Sequence, residues 1–428
     1  MFNDIKVKLN TNSLLIYERN GKVIIYNKDR KRHVKLSEEV YKYIIFAEEK
    51  KLNIKEFIDC FKNENDRKYI LSIIKIMINN GIINGKIYEG KFFKDIHLSL
   101  TNRCNLNCKH CVTNCSPKEK DYMSTKQVFK LIDNLHEINV RNLVLTGGEP
   151  LIRSDLFEIV RYIKIRLPLV ELSLSTNGTL IDDTNINFIV KSFDKIDISL
   201  DGVDEKTCSS IRGKGVFQKV LKAVQNLHGV GFYNISLSMV FGEKNCNQLE
   251  KFKLLNKKLG TRSIERYFIP KGRGLINRKA YTDEDSTLPL IIPKLHELDT
   301  KNNKQKPLNV GSCSCNGCIE QIFITHDGKV YPCPSLIDDE YLIGSIFEDE
   351  TVNVLKFNDF SNNTGFKNFN KLFPYNFEKC KECDVNIFCL KCPSRVHVLK
   401  NSDKELDKWC SLMKKSLEME VWGVFAVK

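Results

Sequence analysis

From residue 96 onward, short apolar runs alternate with longer stretches whose apolar side chains recur every three or four positions. The runs at 96–100, 142–146, 170–176, 196–200, 234–240 and 263–269 predict strands, and the stretches between them predict amphipathic helices. A repeated strand–helix order predicts an α/β fold with a parallel sheet and helices outside it. Six such units make an open barrel rather than a closed ring of eight, with chemistry expected where the strands end. Residues 1–92 read differently. Apolar runs at 13–17 and 23–26 flank Asn20-Gly21, a strong hairpin signal, and a third run surrounds Val34. Helical patterns at 37–49, 54–61 and 66–80, the last closed by Gly81, complete the shape of a small winged-helix module. Residues 271–312, with Lys271-Gly272-Arg273-Gly274 and a lysine- and asparagine-rich tract at 301–306, read as a bridge. The region 313–428 holds nine cysteines.

The chain has 428 residues, 42% of them apolar, enough for two or three compact domains. No run approaches the roughly 18 apolar residues of a membrane span. The amino terminus lacks an export signal, so a cytoplasmic location without membrane association is expected. Sixteen cysteines in such a chain, most at metal-ligand spacings, point to iron ligands rather than disulfides. The protein is then expected to be assembled without oxygen. The net charge of +14 invites a nucleic-acid reading. Residues 1–92 hold 19 Lys and Arg against 12 Asp and Glu, which is either a solvated lysine-rich surface or a face for an acidic partner. The third helix of this module is apolar on most faces and expected to be buried, which leaves little to enter a DNA groove. A peptide pairing along an open strand edge therefore ranks above nucleic acid.

The chemistry begins at Cys104, Cys108 and Cys111, spaced Cys-x3-Cys-x2-Cys just after the first barrel strand. One loop thus delivers three thiolates, enough for three irons of a [4Fe-4S] cubane with the fourth left open. A zinc loop is the plain alternative, but zinc prefers four protein ligands. Gly147-Gly148-Glu149 ends the second strand, where glycines allow close approach and a carboxylate accepts. Asn177 follows the third strand, and Ser199 and Asp201 flank the end of the fourth, where small polar groups suit a ribose diol. Arg212 offers a fork suited to a carboxylate. Cys60, Cys208 and Cys246 are expected as buried small side chains, and Cys115 receives no role.

Taken together and in this order, these motifs resemble the radical S-adenosylmethionine (SAM) enzymes, whose fold is a partial (β/α)6 TIM-like barrel. The resemblance implies that SAM occupies the open iron, that Gly147, Gly148 and Glu149 meet its ammonium, and that Arg212 meets its carboxylate. It further implies ribose contacts from Ser199 and Asp201, with Asn177 a weaker candidate. His110 falls where the family places a ring near the adenine, although a surface histidine fits the sequence equally. Cys318-x9-Gly328-x4-Cys333, then Cys380-x2-Cys383-x5-Cys389-x2-Cys392 and Cys410, resemble the SPASM extension of peptide-modifying members, which holds two auxiliary [4Fe-4S] clusters. By that likeness one cluster takes Cys318, Cys333, Cys392 and either Cys313 or Cys315; the other takes Cys380, Cys383, Cys389 and Cys410. Cys389 and Cys392 are separated by two residues where the family more often has three. A pair of four-cysteine zinc sites is the alternative for this region.

The resemblance implies domains at 1–92 (peptide recognition), 93–270 (barrel), 271–312 (bridge) and 313–428 (SPASM). It also implies a maturase of a ribosomally made precursor peptide. The leader of that peptide would dock on the first module, a flavodoxin or ferredoxin would supply electrons, and thioether formation of the sactipeptide or ranthipeptide kind would be the first choice of chemistry. Carbon-carbon crosslinking or residue oxidation is the runner-up, and an iron-sulfur winged-helix DNA-binding regulator is a distant third.

Overall fold

The computed structural model describes residues 3–84, 94–283 and 311–423. The predicted boundary at 92/93 and the tract at 301–306 lie outside the described residues. The amino-terminal module forms strands β1 (Leu14–Arg19), β2 (Lys22–Asn27) and β3 (Arg32–Ser37) in one antiparallel sheet of that order, followed by helices α1 (Glu38–Glu49), α2 (Ile54–Asp59) and α3 (Glu64–Asn79). Asn20 and Gly21 both take positive φ, 54° and 69°, as the predicted two-residue turn requires. Ser37 caps α1 by accepting from the Val40 amide. Helix α3 buries Ile70, Ile73, Ile74, Met77 and Ile78, while Tyr69 and Ile76 remain exposed.

Strand β2 is buried on both faces. Val23 and Ile25 enter the module's own core, whereas Ile24 and Tyr26 enter the main core of the rest of the protein. Alternation of side chains along a strand makes this division possible. The sheet is thus a middle layer between its helices and the cysteine-rich region.

The barrel supplies parallel strands β4 (Lys94–Ser99), β5 (Val140–Thr146), β6 (Glu171–Thr176), β7 (Lys195–Ser199), β8 (Ile235–Phe241) and β9 (Arg262–Tyr267), adjacent in sequence order. Helices α4 (Thr125–His136), α5 (Leu156–Arg166), α6 (Ile186–Ser192), α7 (Glu205–Arg212), α8 (Val216–Gly229) and α9 (Leu249–Leu259) connect them. Helix α4 shows why the helices cover the sheet. A Ser124–Gln127 capping box starts it, and Val128, Leu131, Ile132 and Leu135 make one buried stripe. Along β4, Ile96 and Leu98 are fully buried against the helices, each stabilising the fold by about 1.5–3 kcal/mol. His97 and Ser99, on the alternate face, line the barrel lumen.

The cysteine-rich region is continuous with the barrel sheet. Strands β10 (Gln321–Ile324), β11 (Lys329–Tyr331) and β12 (Gly344–Ser345) extend the barrel sheet, with β10 parallel to β4. The bridge also contains structure the sequence reading missed, a short helix α10 (Arg273–Ile276). Cys208 and Cys246 are buried as expected, but Cys60 is exposed at the end of α2. Helix α2 is only six residues long and turns that end toward solvent. Among the described residues no helix is long and apolar enough to cross a membrane.

Candidate active site

The end of β4 leads directly into the Cys104 loop, and the end of β5 packs on that loop. Gly148 donates its amide to Thr101 O at 2.8 Å and Glu149 donates to Arg103 O at 2.9 Å. A Cβ on Gly147 would overlap Thr101 O, and one on Gly148 would lie 2.6 Å from the Arg103 carbonyl carbon. The paired glycines are therefore required first by the cysteine loop itself, in addition to any ligand. Glu149 is fully buried and turned inward. It accepts from Thr176 Oγ1 at 2.8 Å, Asn177 N at 2.7 Å and Leu151 N at 3.1 Å. Burial pushes its carboxyl up while these donors pull it back.

Cys104, Cys108 and Cys111 converge on a cavity of ≈ 150 Å³ walled also by Gly147, Gly148, Asn177, Ser199 and Arg212. The structure therefore brings these groups together, apart from Glu149, which stands behind the wall, and Asp201, which lines the larger cavity adjoining this one. Asp201 takes a left-handed φ of 57° and accepts from Arg212 Nε at 2.6 Å and the Val240 amide at 2.6 Å. His110 Nε2 lies 3.2 Å from the same carboxylate. The Arg212 guanidinium and His110, against full burial, hold the Asp201 carboxyl well below the usual carboxylate range. Its geometry makes it the anchor of Arg212, whose Nη1 stands 3.7 Å from Cys108 Sγ. His110 is not a surface side chain: it is mostly buried and packs edge-on to Tyr281. Asn177 donates to Asn105 Oδ1 at 2.8 Å, tying β6 to the loop.

Two participants were missed in the sequence. Arg273 donates to Cys108 O at 3.0 Å and Cys115 O at 2.6 Å, clamping the loop from α10. The Gly272 just before it sits where a Cβ would be 2.6 Å from Cys111 O. That Gly-Arg pair inside an otherwise polar bridge was the available signal. Cys115 lines the same cavity, with its sulfur 2.8 Å from Asn102 Oδ1 and 3.0 Å from Thr113 Oγ1. A hydrogen bond from Cys115 holds the Cys111 thiol down against burial, and the same pairing together with burial holds Cys115 up. Burial pushes Cys104 up to about 11.

A larger cavity of ≈ 390 Å³ continues from His110 and Cys111 through the lumen, past His97, Asp197 and Arg266, to Pro334 and Ser335. These last two residues follow Cys333. Cys315 has the charges of Cys313, Cys333 and Cys392 around it, and Cys318 those of Cys315 and Cys333. Cys313 turns its sulfur to Lys391 O at 3.1 Å, at the edge of this group. Cys389 is surrounded by Cys380, Cys383 and Cys410 and accepts from Trp409 Nε1 at 3.2 Å.

Residues 98–254 match the family model of the Radical SAM superfamily, and residues 313–384 match that of the SPASM iron-sulfur cluster-binding domain. A radical SAM domain followed by a SPASM domain is therefore present in this chain. It is 29% identical over 265 residues to mycofactocin maturase MftC of Mycobacterium tuberculosis (strain CDC 1551 / Oshkosh), covering 58% of this chain and 66% of that relative's length. It is 28% identical over 195 residues to a probable GTP 3',8-cyclase of Saccharolobus islandicus (strain Y.N.15.51 / Yellowstone #2), covering 45% of this chain and 63% of that one. Among solved structures, Streptococcus suis SuiB bound to S-adenosylmethionine matches with TM-score 0.52 and 14% identity over 93% of this chain and 98% of that one. The anSMEcpe enzyme with bound AdoMet matches with TM-score 0.54 and 19% identity over 77% and 97%. These structural likenesses show a shared fold.

The cofactors of this family are [4Fe-4S] clusters and SAM. The residues present fit them. The thiol donors are gathered in three sets, at the Cys104 loop and in two groups after residue 312, as iron-sulfur clusters need. Zinc would draw its sulfurs to about 3.8 Å from one another, given Zn–S bonds of about 2.3 Å, whereas a cubane holds its thiolates at the corners of a wider cage. The buried Arg395 Nη2, beside Cys392 and Cys389, has no hydrogen-bond partner among the described residues, as expected where a bulky anion is to sit.

Proposed function

We propose that this chain is a maturase that modifies a ribosomally made precursor peptide, with a thioether between a cysteine sulfur and a peptide carbon as the bond formed. The observation that carries the reading is the cavity running from the Cys111 loop through the barrel lumen to the residues after Cys333. It gives an extended peptide segment room between the SAM site and an auxiliary site. The name of the mycofactocin maturase relative, and the structure of SuiB bound to precursor peptide SuiA, support peptide as the substrate class.

When bound, the reduced cluster and SAM supply a 5'-deoxyadenosyl radical that takes hydrogen from carbon. In this reading Cys104, Cys108 and Cys111 hold that cluster. Gly147 and Gly148 shape the ammonium site, and Arg212, fixed by Asp201, receives the SAM carboxylate. Ser199 and Asn177 face the ribose, and His110 stands at the adenine side. Because a carbon radical attacks what lies nearest, the protein's task is positioning. The amino-terminal module, residues 1–92, holds the leader and raises the local concentration of the core peptide. A flavodoxin or ferredoxin serves as reductant, in the cytoplasm.

Coexpression with a neighbouring precursor tests the proposal by mass spectrometry. A loss of two hydrogens per link, with the cysteine thiol no longer alkylatable, supports the thioether; the same loss with free thiols moves the assignment to carbon-carbon crosslinking; an unchanged peptide refutes both. Anaerobic protein with SAM and dithionite should release 5'-deoxyadenosine, and Cys108→Ala should release none.

A further inference from the structure

Three cations are buried around the cysteines of the first auxiliary site, and their direct partners are neutral. Lys31 comes from the β2–β3 turn of the amino-terminal module, with a left-handed φ of 54° and 4% exposure. Its ammonium donates to Tyr375 Oη at 2.7 Å and lies 3.8 Å over the Phe373 ring. Lys94, at the start of β4, is wholly buried and donates to the carbonyl oxygens of Cys318, at 2.8 Å, and Ile319, and to Asn358 Oδ1 at 2.5 Å. Arg395 is 6% exposed and lies over the Tyr267 and Trp409 rings, with Nη2 unpartnered.

The charges nearest these groups are sulfurs. Cys313 and Cys315 are foremost for Lys31, ahead of Asp29; Cys318 is foremost for Lys94, ahead of Glu320; and Cys392 is foremost for Arg395, ahead of Tyr267 and Cys389. Burial pushes both lysines down to about 8, with those sulfurs pulling the other way. Sinking three unpaired cations into one site costs several kcal/mol each unless an anion faces them. A [4Fe-4S] cluster on four thiolates is that anion. Among the described residues the second auxiliary site has a weaker setting: it shares Arg395 and the half-buried Lys391 with the first, and Lys414 near Cys383 is exposed. Lys379 beside Cys380 is solvent-exposed and paired with Asp407 at 2.8 Å, and Arg19 is paired with Asp384 at 2.6 Å. Exposed, neutralised charges act weakly.

We propose that Lys31, Lys94 and Arg395 form a buried cationic cage that favours the reduced state of the cluster held by Cys315, Cys318, Cys333 and Cys392, giving it a higher reduction potential than the cluster at Cys380, Cys383, Cys389 and Cys410. The proposal rests on the cluster-bearing reading of these cysteines, with Cys315 taken over Cys313 because the Cys313 sulfur turns to Lys391 O at 3.1 Å. Cluster potential follows net charge, hydrogen bonding and exposure, and a fixed cation lowers the energy of the form that carries one more electron. One of the three charges belongs to the amino-terminal module, so the docking of that module sets the potential of a cluster in another region. The same face contributes Tyr26, which donates to Cys313 O at 2.8 Å, and Tyr17, which reaches Asn386 at 2.7 Å.

The test is an EPR-monitored redox titration of the full-length, anaerobically reconstituted chain carrying Cys104→Ala, Cys108→Ala and Cys111→Ala, so that the two auxiliary clusters signal alone. Lys31→Met and Lys94→Met should each lower the reduction equilibrium constant of one cluster at least tenfold, ~59 mV for a one-electron couple, and leave the other in place. Arg395→Met should lower both, the first site more. Lys31→Arg, which keeps the charge, should restore the parent value. Unchanged potentials with about eight irons bound would overturn the cage, as would an equal shift in Lys31→Arg, which would mark a packing effect. Loss of about four irons in Lys31→Met but not in Lys31→Arg also supports a charge requirement, and loss in both overturns it. Failure of the cluster assignment is distinct, because the parent chain would then hold fewer than about eight irons before any cation is changed.

Discussion

Gly148→Ala isolates the claim that the glycine pair is demanded by the cysteine loop. The new methyl would sit 2.6 Å from the Arg103 carbonyl carbon and 3.0 Å from Cys104 Cβ, where carbon pairs rest at about 3.5–4.0 Å. Relief takes about 1 Å of movement, and both neighbours belong to the loop that carries the thiols. Overpacking of this kind costs about 1–3 kcal/mol. The shift also breaks the amide bonds from Gly148 and Glu149 to that loop, each worth about 1 kcal/mol. A total of about 3–5 kcal/mol concentrated on one loop is enough to misplace the sulfurs, and 1 Å at a reacting centre costs about a hundredfold in rate. The assay is iron analysis with 5'-deoxyadenosine release on anaerobically reconstituted protein. Iron should fall from about twelve atoms per chain to about eight, and release should drop at least about a hundredfold. Gly229→Ala is the control: it ends α8 with nothing within 4 Å of the added carbon and should leave both readings unchanged. Full iron and parental release in Gly148→Ala would refute the reasoning.

Asp201→Asn keeps the shape of the side chain but strands the buried Arg212 charge, at about 3–5 kcal/mol. Since the folded-state carboxyl titrates below its unfolded value, its stabilisation is present above about pH 4 and is lost as pH falls toward the folded value. The gap in thermal midpoint between parent and variant should therefore be flat from roughly pH 5 to 8 and narrow below about pH 4; a gap that instead grew with acid would contradict the sign. At the auxiliary site, Cys315→Ser should lose about four irons while Cys313→Ser retains them, and the reverse would exchange their assignments. In iron-free protein at neutral pH, iodoacetamide should label Cys111 before Cys104 and Cys108, both pushed up by burial. Peptide mapping would show the order, and equal labelling would dismiss the Cys115 hydrogen bond as its cause.

Much of this was legible in the chain because the signals are local. A thiol triplet after an apolar run, glycines at a strand end and Asn20-Gly21 each fix their own surroundings within a few residues. The sequence could not show that β2 serves two cores, since burial on both faces reads as one apolar run whichever partners cover it. Neither could it show that β10 pairs with β4, more than 200 residues away, or that Arg273 returns to the Cys108 carbonyl. Cys115 was passed over because its spacing belongs to no motif; only the fold sets its sulfur beside Cys111. The structure sets Glu149 against Thr176 and Asp201 against Arg212, but a pattern of polar residues at strand ends does not say which carboxylates meet a ligand and which hold its neighbours.

Strand β4 links the two ends of the barrel and fixes the distance between them. At its carboxyl end the chain turns into the Cys104 loop. At its other end Lys94 reaches the carbonyl of Cys318. Six residues at about 3.3 Å each put the two cluster sites roughly 20 Å apart, at opposite ends of a single rigid strand. The lumen beside that strand holds the cavity that runs from Cys111 to Ser335. A peptide threaded there would lie between a site that removes a hydrogen atom and a cationic site suited to receive an electron, with neither end free to drift. Because β10 is hydrogen-bonded to β4 along its length, the separation is set by backbone pairing rather than by a hinge. A substitution that leaves the cysteines intact but breaks this pairing should therefore uncouple SAM cleavage from peptide modification. Ile322→Pro removes a β10 amide, and in that variant 5'-deoxyadenosine should still form while the two-hydrogen loss in the peptide disappears. Retention of both would show that the strand does not set the geometry.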